Sequence, residues 1–413
     1  MAISQSEIIN IIKNQTSPHV RPSNNTENIN ERTMLIRDLG LTSVDFVVIF
    51  EKIQQLESRR IDFINLIMPD RCNYIDDLEI AQIFNFLSDK VSAPQSATQT
   101  DPYINKRDSI SQDDINLLCD AIQHQDYEED VVNTTTQLCF LLSAPRSGST
   151  LLRRMLGCHP DIYAPMELHL MAYKDFGQRQ EQLNNEDNAH LLEGTIVARQ
   201  EVRNMQKAVS TAVDHMYASD HRSVSQFFIE LDPYLEQKVL IDKTPTYAFS
   251  EATLQRLKNT FPSAKFIHLS RRPNAVVKSL IDSELGQIIR FLRTSGIKQG
   301  RFPEALWCLC EQNIQSALKD VPERVHQVDY ESIVTSPEKT LASIHKFLGL
   351  QPSNSIDPYL NKSEPSNEKV ESYAGDLKTF LRSSIDPTVA SEWEKFPSLQ
   401  WLSEPTFNLL RNN

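Results

Sequence analysis

The chain has 413 residues, 40% hydrophobic and 23% charged, with a formal net charge of −13. This balance excludes the disordered, collagen-like and membrane-embedded classes, and the acidic excess excludes a general nucleic-acid binder, which needs a basic face for the phosphate backbone. The length exceeds what one hydrophobic core usually serves, so two domains are expected.

The first residues, Met1 to Glu7, show no basic stretch followed by an apolar run, so no secretory signal is expected, and no span of about 18 apolar residues occurs later. The six cysteines are scattered without zinc or disulfide spacing, which predicts free thiols in a cytoplasmic protein and no metal site. Residues 6–14 (SEIINIIKN), 44–56 (VDFVVIFEKIQQL) and 75–87 (IDDLEIAQIFNFL) space apolar side chains as helices do, with Ser43 placed to cap the second. Helices this short stand only when packed together, so residues 1–90 are read as a small helical bundle with a loop at 15–33. Residues 91–112 are polar, contain two prolines and lack apolar periodicity, which predicts a flexible connection to a second domain at 113–413.

In that second part the runs 138–142 (LCFLL), 238–241 (KVLI), 265–269 (KFIHL) and 325–328 (VHQV) alternate with helical stretches. The predicted fold is α/β, a parallel sheet with helices on both faces. After the first run comes Ser143-Ala144-Pro145-Arg146-Ser147-Gly148-Ser149-Thr150, then a helix with Leu151, Leu152, Met155 and Leu156 on one side. A helix start presents backbone N–H groups without intrahelical acceptors at the positive end of the dipole, so this turn is an anion cradle. Gly148 permits close approach, Ser147, Ser149 and Thr150 supply hydroxyls, and Arg146 supplies a charged fork. The nucleotide-triphosphatase version of the turn needs a lysine after its last glycine; here Ser149 follows Gly148, which removes support for magnesium-dependent phosphoryl transfer.

Glu167 and His169 follow where the chain should return to the rim of the same cleft, and both are suitable general bases. Asp242-Lys243-Thr244-Pro245 directly follows a predicted strand. Arg271, at the end of KFIHL, and Ser279, eight residues on in the next helix, would grip a phosphate from two sides. Lys243 and Arg146 are the cations suited to a transferred anion, and Glu311 is a third candidate base.

The runs APRSGSTLLRRML and HPDIYAPMELHLM resemble the 5′-phosphosulfate loop of the sulfotransferase superfamily, and Arg271-Arg272-Pro273 through Ser279 resembles its 3′-phosphate element. Asp242–Pro245, Asp329–Ser332 with Pro337, and Gly375–Lys378 leading to Ile385–Pro387 are similar to further family segments, so the resemblance spans about 138–395. It implies a P-loop-like sulfotransferase fold and 3′-phosphoadenosine 5′-phosphosulfate (PAPS) as donor. It also implies that Arg146 to Thr150, Arg271 and Ser279 hold that donor, and that Glu167 is the base. Polyketide-linked members carry histidine where this chain has Glu311.

Asp38-Leu39-Gly40-Leu41-Thr42-Ser43-Val44 resembles the attachment site of acyl carrier proteins, with Thr42 and Val44 in place of the usual Asp and Leu. That resemblance implies 4′-phosphopantetheine on Ser43. Joined to a sulfotransferase, it implies an acceptor hydroxyl on a tethered acyl chain in polyketide or fatty-acyl biosynthesis. The implied partners are a phosphopantetheinyl transferase, synthase modules and a thioesterase, with no nucleic acid or membrane. Sulfation of a free alcohol, or nucleotide binding without catalysis, are the alternatives.

Overall fold

The structure is a computed structural model that describes residues 3–15, 29–88, 101–122, 131–184, 189–205, 222–283, 295–353 and 384–411, apart from 40, 42, 58–60, 62, 68–74, 76 and 102. The chain divides into two compact units, Met1–Thr100 with Lys362–Ile385, and Asp101–Asn361 with Asp386–Asn413.

The first unit contains helices α1 (Gln5–Gln15), α2 (Ser43–Leu56), α3 (Ile64–Ile67) and α4 (Ile80–Ser88). Ile8 with Ile12, Ile49 with Ile53, and Ile80 with Ile83 lie one turn apart in their helices, and all six are buried in one core. The chain before α2 is held by Asp77, whose carboxylate accepts the backbone N–H groups of Ile36 at 2.8 Å and Arg37 at 2.9 Å. Ser43 is the first residue of α2, and its side chain lies outside the described residues, as do residues 16–28 of the expected loop.

The second unit begins with α5 (Gln112–Ala121) and continues β1 (Leu138–Leu142), α6 (Ser149–Leu156), β2 (Ile162–Tyr163), α7 (Phe176–Leu183), α8 (Glu193–Met205) and α9 (Gln226–Leu231). Then come β3 (Val239–Asp242), α10 (Glu251–Thr260), β4 (Lys265–Ser270), α11 (Pro273–Asp282) and α12 (Phe302–Leu318). The last elements are β5 (Val325–Asp329), α13 (Tyr330–Thr335), α14 (Pro337–Leu348) and α15 (Glu404–Arg411).

The strands form one parallel sheet in the order β2-β3-β1-β4-β5. Every residue of β1 and β3 is buried, as required of strands covered on both faces. The four strands expected from sequence are present. β2, two residues long, is too short to leave an apolar run and was not anticipated. After β1 the chain turns toward β2 and β3, and after β4 it turns the other way toward β5. The crevice beyond the carboxyl ends of β1 and β4 is therefore the switch point where such sheets receive ligands.

The expected linker 91–112 needs correction in its second half. Residues 91–100 lie outside the described ones, but the segment from Asp101 belongs to the second unit. Tyr103 is buried there, and Arg107 forms a buried ion pair with Glu304 at 3.0 Å. Ser111 opens α5 through a capping box with Asp114, whose side chain accepts the Ser111 N–H at 2.8 Å. Polar composition reads as linker when its partners are nearly 200 residues away. Among the described residues no helix is long and apolar enough to cross a membrane, and no group of three His, Cys, Asp or Glu side chains is placed to hold a metal ion.

Candidate active site

The loop from Ser143 to Gly148 leaves the buried end of β1 and enters α6, so it opens onto the β1/β4 crevice. Ser143 and Ser147 are fully buried, and among the described residues their hydroxyls have no hydrogen-bond partner. Buried hydroxyls are normally satisfied, so two orphans beside the uncapped start of a helix fit an anionic ligand bearing several acceptor oxygens. Arg146 holds a left-handed φ of 67°, and Gly148 a φ of 90°. Gly148 is needed for two reasons. Its φ disfavours any side chain, and a Cβ there would lie 2.3 Å from the Tyr330 ring. That close approach is thus to Tyr330, at the start of α13.

Arg271 stands just past β4, on the other side of the crevice. Its Nη1 donates to the Arg146 carbonyl at 2.9 Å, which pins the left-handed residue of the loop. Its guanidinium stacks 4.2 Å from the centre of the Tyr330 ring, while its buried Nε has no partner among the described residues. From α11, Ser279 Oγ accepts the Arg146 Nε–H at 3.1 Å. The two elements read from sequence as separate phosphate grips are therefore one hydrogen-bonded cluster, 125 residues apart in the chain at Arg146 and Arg271.

Glu167 lies in the irregular stretch after β2. Its carboxylate takes the Lys243 ammonium on Oε1 and the His169 ring on Oε2, the latter at 3.1 Å. Lys243, buried just past β3, also reaches the Thr150 hydroxyl at 3.3 Å. That contact joins Glu167 to the anion loop through one cation. Burial opposes ionisation of Glu167, yet Lys243 and then His169 outweigh it and bring its pKa down to about 2. Burial pushes the Lys243 pKa down, and Glu167 opposes that shift. An ionised carboxylate only accepts hydrogen bonds, so His169 Nε2 carries a proton. The Thr246 hydroxyl lies 3.1 Å from Nδ1. With both nitrogens engaged, His169 orients Glu167.

The turn that presents these residues is heavily braced. His169 has a left-handed φ of 46°. The backbone N–H groups of Leu168 and His169 donate to the Thr244 hydroxyl, and those of Leu170 and Met171 to the Tyr247 hydroxyl. Both hydroxyls in turn donate to Asp242, each at 2.8 Å. Burial raises the Asp242 pKa to about 6, against the pull of these hydrogen bonds. Arg179 donates to the carbonyls of Leu168 and His169, each at 2.9 Å. Gly194, at the start of α8, leaves room for the Glu167 carbonyl, which a Cβ would meet at 1.8 Å. None of these braces was anticipated. Only the Asp-Lys-Thr-Pro segment carried a signal, because it follows a strand directly.

Glu311 stands apart from this group. It is buried in the middle of α12, with Oε2 bonded to His268 Nε2 at 2.9 Å and Oε1 without a partner among the described residues. Among the described residues it makes no hydrogen bond to Glu167, Lys243 or Arg146. Gly375–Lys378, expected to close over the nucleotide, lies outside the described residues.

A family model described as "Sulfotransferase family" matches residues 139–354. Nodulation protein NoeE of Sinorhizobium fredii is 28% identical over 281 residues, covering 62% of this chain and 59% of that protein. Protein-tyrosine sulfotransferase 1 of Danio rerio is 27% identical, covering 53% of this chain and 55% of its own length. The chain thus spans under two thirds of either relative. Among solved structures, the sulfotransferase domain of the Synechococcus PCC 7002 olefin synthase is 29% identical with a TM-score of 0.56, covering 70% of this chain and 98% of that one. The sulfotransferase domain from the Curacin biosynthetic pathway is 29% identical with a TM-score of 0.58, covering 68% and 98%.

Proposed function

The chain belongs to the sulfotransferase family, and from that premise we propose that it moves the sulfuryl group of PAPS to the hydroxyl of an acyl chain carried by its own N-terminal unit. The observation that carries the donor reading is the cluster of Arg146, Ser279 and Arg271 across the switch-point crevice. Two anionic groups of one nucleotide need two grips. The loop hydroxyls and amides from Ser143 to Thr150 suit the 5′ end, and Arg271 with Ser279 suits a 3′-phosphate.

When bound, the donor supplies an activated sulfuryl group on a good leaving group. Reactions of this type rest on positioning, charge stabilisation and removal of the acceptor proton. In the proposed mechanism Glu167 receives the proton of the acceptor hydroxyl on its carboxylate, and His169 holds that carboxylate in place. Lys243 governs how basic Glu167 is. While the ammonium rests on Oε1 the carboxylate is a poor base, and a Lys243 turned toward Thr150 and the anion loop leaves Glu167 able to take the proton.

The acceptor reading draws on two supports. The solved sulfotransferase domains matched over 98% of their length come from an olefin synthase and the Curacin pathway. The first unit carries Ser43 at the start of a helix in a carrier-like sequence, where 4′-phosphopantetheine would be attached. A short flexible tether raises the local acyl concentration to about mM. Similarity to protein-tyrosine sulfotransferases favours a second reading, in which the acceptor is a hydroxyl not borne on a carrier.

The test is PAPS-dependent sulfation of hydroxyacyl groups, loaded on Ser43 or supplied free, followed by mass spectrometry. Preference for the loaded form supports the carrier reading, and equal or exclusive use of free alcohols overturns it. Glu167→Gln is expected to lower kcat by about 10²-fold or more with donor binding retained; unchanged turnover removes Glu167 as the base.

A further inference from the structure

We infer that Tyr103, on the segment leading out of the N-terminal unit, is a positioning residue for the donor site, acting through helix α11 on Ser279. The inference rests on the proposed reading of Ser279 as part of the 3′-phosphate grip. Asn274, Lys278 and Asp282 lie four residues apart on one face of α11. That face is held by chain from two remote places. Tyr103 Oη donates to Asp282 Oδ1 at 2.7 Å, and Asn274 Nδ2 donates to the Leu399 carbonyl. Lys278 Nζ donates to Asp282 Oδ2 at 2.9 Å and lies 5.6 Å from the centre of the Tyr103 ring.

The chemistry explains why the hydroxyl matters. Asp282 is the last residue of α11, where the negative end of the helix dipole disfavours a carboxylate. Its side chain is 2% exposed, so this charge needs donors. Lys278 and Tyr103 each supply one. Ser279 follows Lys278 and accepts from Arg146 at 3.1 Å, a distance with little slack for a helix that rotates. The brace itself is stable: Tyr103 is 1% exposed and packs edge-on to Phe396 with ring centres 5.0 Å apart, and Asp101 accepts from Ser398 N at 2.8 Å.

The experiment compares binding of adenosine 3′,5′-bisphosphate and 5′-AMP to the full chain by calorimetry. Tyr103→Phe keeps the ring and removes only the donor hydroxyl. It is expected to weaken the bisphosphate about three- to tenfold and 5′-AMP less, since only the bisphosphate places a phosphate on the Ser279 grip. In a Ser279→Ala background the same change is expected to add nothing. Asp282→Asn provides a second variant with the same expectation. Equal weakening of both nucleotides, no change in either, or full additivity with Ser279→Ala overturns the inference. If the unaltered chain does not prefer the bisphosphate to 5′-AMP, the donor reading itself fails, a result distinct from those three.

Discussion

At the scale of single residues, Gly148 concentrates two constraints in one position. A left-handed φ costs a non-glycine residue about 1–2 kcal/mol, and the Tyr330 ring occupies the space a Cβ would take. Gly148→Ala is expected to lower the melting temperature and to weaken donor binding about tenfold or more, because Tyr330 also stacks on Arg271. Pairing it with Tyr330→Ala should recover part of the stability loss, a difference that thermal melting of the single and double variants resolves. Sequence supplied the need for glycine after the loop serines, but assigned it to the ligand. The Tyr330 ring is 182 residues downstream, beyond the reach of local pattern. Lys243 shows the same limit. Its segment stood out by following a strand, whereas its bond to Glu167, 76 residues earlier, is a product of β3 lying between β2 and β1.

At the scale of elements, α14 carries a group that ties stability to pH. His345 is 1% exposed, both its ring nitrogens lack partners among the described residues, and its ring lies 4.6 Å from that of His159. Burial and then the neighbouring His159 push its pKa down to about 4. The folded value is thus below the unfolded one, about 6.5, so the unfolded chain binds the proton first. Stability contributed by neutral His345 is full above that value and declines as pH falls toward 4. Glu167, held at about 2, loses its contribution at lower pH still, from about 4.5 downward. His345→Leu is expected to flatten the fall in melting temperature between about pH 6.5 and 4 while leaving the lower limb intact; an unchanged profile would remove His345 as its cause. Strands β1, β3 and β4 were legible because buried parallel strands are continuous apolar runs. The stretch around Glu167 was not, since its shape depends on the hydroxyls of Thr244 and Tyr247 anchored on Asp242.

At the scale of the whole molecule, each unit has its own hydrophobic core. Residues 101–413 are therefore expected to bind adenosine 3′,5′-bisphosphate as the full chain does. A chain starting at 113 loses Tyr103, Arg107 and the Ser111 cap, and is expected to be less stable and to bind more weakly, as melting and calorimetry on the two truncations would show. Treatment with a phosphopantetheinyl transferase is expected to add one phosphopantetheine, and Ser43→Ala to abolish that gain in intact mass. Absence of the gain in the unaltered chain would leave the first unit without its carrier role.

The anion loop and the parallel sheet follow from contiguous stretches of chain. A strand, a turn and a helix start are local objects, and their backbone N–H groups converge whatever else surrounds them. The joining of Arg146 to Arg271 and Ser279, the pairing of Glu167 with Lys243, the diversion of Glu311 to His268 and the capture of residues 101–111 by the second unit came from folding alone. Each is a hydrogen bond or ion pair between groups far apart in the chain. Such a bond exists only once packing has fixed which strands are neighbours and removed the competing water.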